Sequence, residues 1–258
     1  MNKKLFAPVA SVLGFLVVWE ALARALAGLY IGLYIPETSA VLSEVAHVMY
    51  GQTPIGQSSY FHVLETLKRL LTGVFLGSLV GAGIGVVIGL KEHAENFFES
   101  WNWIFATIPA IMWAYIFILV MGASETTAVG VLAAVTYPQM AFRVSRGIRS
   151  VRHELVEMGK AFNAKTHLLL REVYFPQILP HVFSGLRYSL ALGIKIIAIA
   201  ELVGLSSGVG FIMQYWWDQR LVAPLLAWGS LLVFLGLFFE FGVFRILERR
   251  LFRWTGQS

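Results

Sequence analysis

The hydrophobic positions of this chain gather into long runs with short polar breaks, and six runs approach the length a bilayer demands. A helix needs about 20 apolar residues to cross the hydrocarbon core. Candidate spans lie near residues 8–27, 70–90, 98–121, 126–142, 182–203 and 225–247, the fourth being the shortest. Two narrower patterns lie between them. Ser39–Tyr50 carries Val41, Leu42, Val45, Val48 and Met49 at helical spacing, which predicts a short amphipathic helix before the turn-rich Gly51–Gly56. Residues 143–181 carry Leu155, Met158 and Phe162 and, after a break at Asn163-Ala164, Leu168 and Leu169. That is a narrow apolar stripe on otherwise polar turns, an amphipathic helix too short and too charged to span. Nothing in the sequence suggests a second domain, so residues 1–258 read as one all-α membrane domain.

Charge gives the runs a direction. Residues 143–181 hold Arg143, Arg146, Arg149, Arg152, Lys160, Lys165 and Arg171 against Glu154, Glu157 and Glu172. Short loops rich in Lys and Arg stay in the cytoplasm, and Lys3, Lys4, Lys91, Arg245, Arg249, Arg250 and Arg253 fall on the same side. The opposite loops hold chiefly Arg24 and Arg220, with Lys68 and Arg69 at the outer mouth of the second span. Both termini are therefore expected on the cytoplasmic side of the membrane. The first run, preceded by Lys3-Lys4, is longer than a signal-peptide core and reads as a retained span. The exposed amphipathic helix either lies on anionic headgroups or offers its stripe to a partner.

Composition narrows the function. Of the residues 57% are apolar and only 14% charged, with a mean hydropathy of +0.70, too few charges to solvate a soluble globule. The pI near 9.5 then reports topology and calls for no nucleic acid. There is no cysteine, which excludes disulfides and thiol chemistry. No Gly-x-x-x-x-Gly-Lys-Ser/Thr, His-Glu-x-x-His or nucleophile-elbow pattern occurs, so the chain is expected to be no enzyme. The second span repeats Gly73, Gly77, Gly81, Gly85 and Gly89 down one face. Small residues at that interval let helix backbones approach closely, either within this chain or across a dimer axis.

The loop after the fourth span resembles a known one. Glu157, Met158 and Gly159, then Asn163-Ala164, Phe175-Pro176 and Leu179-Pro180 are similar to the cytoplasmic Glu-Ala-Ala loop of the permease subunits of ATP-binding-cassette importers. Met158 and Gly159 stand where the pattern has two alanines, and Asn163 stands at its glycine. Asn is among the few side chains that tolerate the left-handed backbone such a glycine adopts. Further stretches resemble the nitrate, sulfonate and taurine branch: Tyr34–Leu42, Leu64–Gly73 with Arg69, Ala200–Gly204 with Ser206–Gly210, and Leu247–Leu251 followed by Arg253-Trp254. The resemblance implies a type I importer permease of six transmembrane helices whose coupling helix docks on a separate ATPase dimer. ATP and Mg would be bound by that partner, with no cofactor in this chain. It further implies a second permease copy or a paralogue, an external substrate-binding protein, and a small anion as cargo. Glu157, Met158, Gly159, Asn163, Ala164, Pro176 and Pro180 would then form the coupling region.

Ionisable residues within spans are rare and default to function; here they are Glu20, Arg187, Lys195, Glu201 and Glu240. Lys195 is read either as a contact for an anionic substrate or as a partner of Glu201, Glu20 or Glu240, or as snorkelling toward an interface. Glu201 is expected near the outer gate. The third span keeps one proline of the branch's proline-rich pattern, Pro109, which is expected to kink it. Trp113 and Tyr115 would line a pathway or face lipid. By resemblance the third and fifth spans line the route, bringing Pro109, Met112 and Trp113 toward Lys195, Ile199 and Glu201. The rival readings are a stand-alone secondary transporter or channel, which would need an inverted repeat and an ion relay, and a membrane-embedded enzyme, which would need a catalytic constellation.

Overall fold

The apolar runs fold as helices. In this computed structural model every secondary-structure element among the described residues, 3–29, 34–51 and 53–252, is helical. Gln52, Arg253, Trp254 and the side chains of Lys3 and Lys4 lie outside what is described. In chain order the helices are α1 (Lys3–Leu26), α2 (Thr38–Met49), α3 (Ser59–Leu90), α4 (Glu92–Thr107), α5 (Ala110–Met121) and α6 (Glu125–Arg149). Then follow α7 (His153–Ala161), α8 (Thr166–Leu169), α9 (Phe175–Gly204), α10 (Val209–Asp218), α11 (Val222–Leu237) and α12 (Arg245–Leu251). A π-helical segment, Leu170–Tyr174, joins α8 to α9, and a second, Phe238–Phe244, joins α11 to α12.

The count of six spans is not reproduced by length and apolarity. Two helices qualify unaided, α3 and the continuous Val222–Leu251. Two more crossings arise if each of two bent pairs counts as one: Phe97–Thr107 with α5, at 94°, and Thr166–Gly204 with α10, at 53°. The helices α1 and α6 lie at the first and fourth expected positions; α6 does not qualify, carrying Glu125 at one end and Arg143, Arg146 and Arg149 at the other.

The third expected span is broken rather than kinked. The Pro109 ring pushes the preceding residue out of the helical region and removes an N–H. Ile108 is accordingly extended (φ −64°, ψ 123°), and α5 restarts after Pro109 (φ −57°, ψ 139°).

The centre of the molecule is α3 packed on α6, with α9 across both. Gly73 faces Leu132, Gly77 faces Ala133 and Thr136, Gly81 faces Tyr137 and Met140, Gly85 faces Ala141 and Val144, and Gly89 faces Ile148. Partner numbers rise together, so α3 and α6 run parallel and the bent pair α4–α5 returns the chain between them. Helix α9 runs the other way, with Gly185 against Met140 and Gly193 against Val74 and Leu132. Leu70, Leu132, Ile194, Ile197 and Trp113 fill the shared core. Arg149 pairs with Glu95 and donates to the Ile88 carbonyl (3.2 Å), which brings the basic end of α6 to the α3–α4 turn. The α3–α4 turn with Lys91 and the arginine-rich end of α6 thus share one end of the bundle.

Candidate functional site

Helix α7 projects from that end. Its Val156 is buried, whereas Glu157 and Met158 are exposed and Phe162 is 82% exposed. The helix stops because Asn163 adopts the left-handed conformation (φ 54°). In that turn the Asn163 amide donates to the Lys160 carbonyl (2.9 Å) and the Ala164 amide to the Gly159 carbonyl (2.9 Å). These bonds satisfy carbonyls that the helix end leaves open. Gly159 lies against Leu169 of α8 and Ala164, so the two short helices meet at a residue without a side chain. Pro176 stands at the start of α9, where the π-helical segment runs into it, and Pro180 lies inside the same helix. Glu157 has no ion pair among the described residues. Phe162, Met158, Leu168, Leu170 and Phe175 of the same segment are exposed as well.

The residues expected to meet along a pathway are only partly brought together. Pro109 and Met112 are exposed and Ile199 is half-buried. Trp113, expected to line a route or face lipid, does neither in this chain. It is 8% exposed, stacked on Phe105 (5.0 Å between centroids, 30°), and belongs to the core with Ile194 and Ile197. Tyr115 is exposed. Lys195 lies on the opposite side of α9, facing α11, and no carboxylate among the described residues takes it. Glu20 accepts from Arg24 Nε (2.9 Å) and the Thr38 amide (2.8 Å). Glu240 is held by Arg187.

Glu201 is held by Arg69, and this is the densest polar site in the molecule. Glu201 is fully buried and Arg69 is 1% exposed. The Glu201 carboxylate accepts from Thr66 Oγ1 (2.9 Å), Arg69 Nη1 (2.9 Å) and the Gly210 amide (2.9 Å). Arg69 also donates through Nη1 to the Ser207 carbonyl (2.7 Å), through Nη2 to Ser207 Oγ (2.5 Å) and through Nε to Glu125 Oε2 (2.6 Å). A further bond from Nη2 reaches Glu125 Oε1. The Val209 amide donates to Thr66 Oγ1 (2.9 Å) and the Gly208 amide to His62 Nδ1 (3.1 Å). That last bond fixes the neutral tautomer with its proton on Nε2. Gly208 has φ 113°, and a side chain there would run into the Glu201 carboxylate. Glu125 opens α6 ahead of the expected span, where an acidic group suits a helix N-terminus. The hydrogen bonds and charge of Arg69 hold its carboxyl below the usual range.

Every donor direction of the guanidinium is used, so α3, α6, α9 and the 205–208 turn are tied at one point. Sequence reasoning had Arg69, Glu201 and Ser206–Gly210 as separate stretches and passed over Glu125. Arg69 and Glu201 stand 132 residues apart, and no local spacing announces such a pair. The available signal was general: an arginine and a glutamate inside apolar helices each need a counter-charge. Among the described residues no group of three or more His, Asp or Glu could hold a metal ion.

The buried charges are spent on holding helices together, and one amphipathic helix is left open at the basic end. The chain belongs to the family of binding-protein-dependent transport system inner membrane components, whose family model matches residues 73–253. It is 22% identical to the taurine transport system permease protein TauC of Escherichia coli (strain K12), over 100% of this chain and 92% of that one. It is 27% identical to the putative aliphatic sulfonates transport permease protein SsuC of Bacillus subtilis (strain 168), over 75% and 70% of the two chains. With the bicarbonate transport system permease protein CmpB of Synechocystis sp. it shares 21% identity over 82% and 75%. Its fold matches a chain of the methionine ABC transporter MetNI in an inward-facing conformation, with a TM-score of 0.65 and 21% identity over 74% of this chain and 94% of that one. The chain is thus an ABC importer permease subunit.

Proposed function

We propose that this permease couples to a cytoplasmic ATPase dimer through α7, with both chain termini on the same side, and that it forms one six-span domain. The carrying observation is a pair of exposed apolar side chains, Met158 and Phe162, beside Glu157, which has no ion pair among the described residues, held out by the Asn163 turn at the basic end of the bundle. Basic loops favour the cytoplasmic face. ATP and Mg would sit on the partner. Closure of the ATPase dimer would draw two coupling helices together and rock the bundles attached to them, shifting the permease between inward- and outward-open states.

One such bundle is too small to enclose a gated route, so the route lies at a two-fold interface with a second copy or a paralogue. Pro109 and Met112 of α5 and Ile199 of α9 would contribute, with Trp113 supporting them from the core and Glu201 acting through the Arg69 cluster. Lys195 supplies a cation for the cargo. The relatives named for taurine, aliphatic sulfonates and bicarbonate support a small anion delivered by an external binding protein.

Reversing the charge at the coupling helix tests this. Glu157→Lys should weaken the complex with the ATPase about tenfold or more, the usual scale for a charge at the heart of an interface. The amount of inserted permease should stay the same. Unchanged co-purification together with unchanged transport-stimulated ATP hydrolysis would overturn the assignment of α7.

A further inference from the structure

Helix α9 has a second polar face that the Arg69 cluster does not use. There α9, α11 and the π-helical Phe238–Phe244 line an open cleft of about 400 Å³. Its walls are aliphatic and aromatic, with Ile194, Leu232 and Phe239 among them, and its charged groups are Arg187, Glu240 and Lys195.

Two of those three are spent on each other. Arg187 Nε donates to Glu240 Oε2 (2.9 Å), Nη2 pairs with Glu240 Oε1, and Nη1 donates to Glu248 Oε2 (3.1 Å). Lys195, about two helical turns further along α9, has neither an ion pair nor a hydrogen bond among the described residues. It stands about 12 Å of helix from the expected end of its span at residue 203, too deep for its ammonium simply to bend into the interface. The Lys195 side chain is exposed on the open side of this cleft, yet it stands within a membrane-spanning helix, where a lone ammonium is costly and gains most from an anion. Glu240 cannot serve while Arg187 holds both its oxygens.

We propose that this cleft binds an organic monoanion with an apolar body, its head on Lys195 and its body between α9 and α11. The volume lies in the range of small-ligand sites, and a bare inorganic oxyanion would leave most of it empty. The walls offer such an ion nothing but Lys195. The seven-residue π-helical wall fits the same role, since π segments are rare and recur where helices are opened to make sites. A lipid headgroup carries the same anionic chemistry, but headgroups sit at the interface rather than at this depth. The inference rests on the reading of Lys195 as the cargo's cation, and it is independent of α7 and of ATP.

The test is equilibrium binding of radiolabelled hexanesulfonate to the full-length chain in phosphatidylcholine nanodiscs, with empty discs subtracted. Neither the ATPase nor transport is involved, so failure here leaves the coupling reading intact, and failure of Glu157→Lys leaves this one intact. Saturable binding is expected, with methanesulfonate and hexanol competing poorly because each lacks one half of the ligand. Lys195→Gln should weaken it roughly tenfold or more, the loss of a charge-assisted bond, while Lys195→Arg keeps most of it. Gly236→Leu, whose first added carbon meets only Ile194 Cδ1 at 3.7 Å, should fill the cleft and weaken hexanesulfonate with Lys195 in place. No saturable binding, or equal affinity in wild type and Lys195→Gln, would overturn the proposal. In discs containing phosphatidylglycerol, unchanged affinity assigns the cleft to a free organic anion, and a marked loss assigns it to a lipid headgroup.

Discussion

Replacing Arg69 by alanine should be among the most damaging single changes in this protein. It would leave Glu201, fully buried, with only Thr66 and the Gly210 amide, and it would release Ser207, leaving the 205–208 turn tied to α3 by the Gly208–His62 bond alone. Removing one member of a buried ion pair costs about 3–5 kcal/mol, because the other charge stays behind without compensation. Glu125 is the lesser problem, since its side chain is 51% exposed and water can take it. Arg69→Lys should recover only part of the loss, because a single ammonium cannot reach Glu201, Glu125 and Ser207 as the planar fork does. The double variant Arg69→Met/Glu201→Gln should be more stable than Arg69→Ala, since both charges leave together. Thermal unfolding of the purified permease in detergent measures this. A midpoint unchanged in Arg69→Ala, or a double variant no better than the single, would show that the cluster does not hold the bundle.

Gly81→Leu should be nearly as damaging, and Gly83→Leu should not. A side chain on Gly81 would meet the backbone carbonyl of Tyr137, with its first carbon 2.8 Å from Met140 Cβ. Neither can yield without parting α3 from α6. Overpacking of a filled site usually costs about 1–3 kcal/mol, and contact of backbone with backbone leaves fewer ways to relax. Gly83 lies two residues on, facing away, with nothing within 4 Å of an added carbon. The pair therefore separates loss of glycine as such from loss of the close approach. Equal unfolding midpoints for the two variants would refute the packing account.

Several features were legible in residues alone because they are local. Apolar runs at helical spacing predicted helices where α1, α2, α3, α6, α9 and α11 occur, since burial of a helical face depends on neighbours three and four residues away. The turn at Asn163 could be anticipated because few side chains accept a left-handed backbone. The bias of Lys and Arg toward certain loops likewise needs no tertiary knowledge. Pro109 was visible but underestimated: a proline and the residue before it are both unsuited to continue a helix, and here the chain breaks by 94° instead of bending.

The sequence by itself therefore determined the class of protein, the helical elements, the basic end and the exposed amphipathic loop. The tertiary structure alone decided which glycine meets which residue of α6, that Trp113 is core, that Arg187 uses up Glu240, and that Lys195 is left over. It alone joined Arg69 to Glu201 and Glu125. The reason is physical: helix formation and turn chemistry are settled over a few residues, whereas a buried charge takes whatever partner the packing of distant helices brings within about 3 Å.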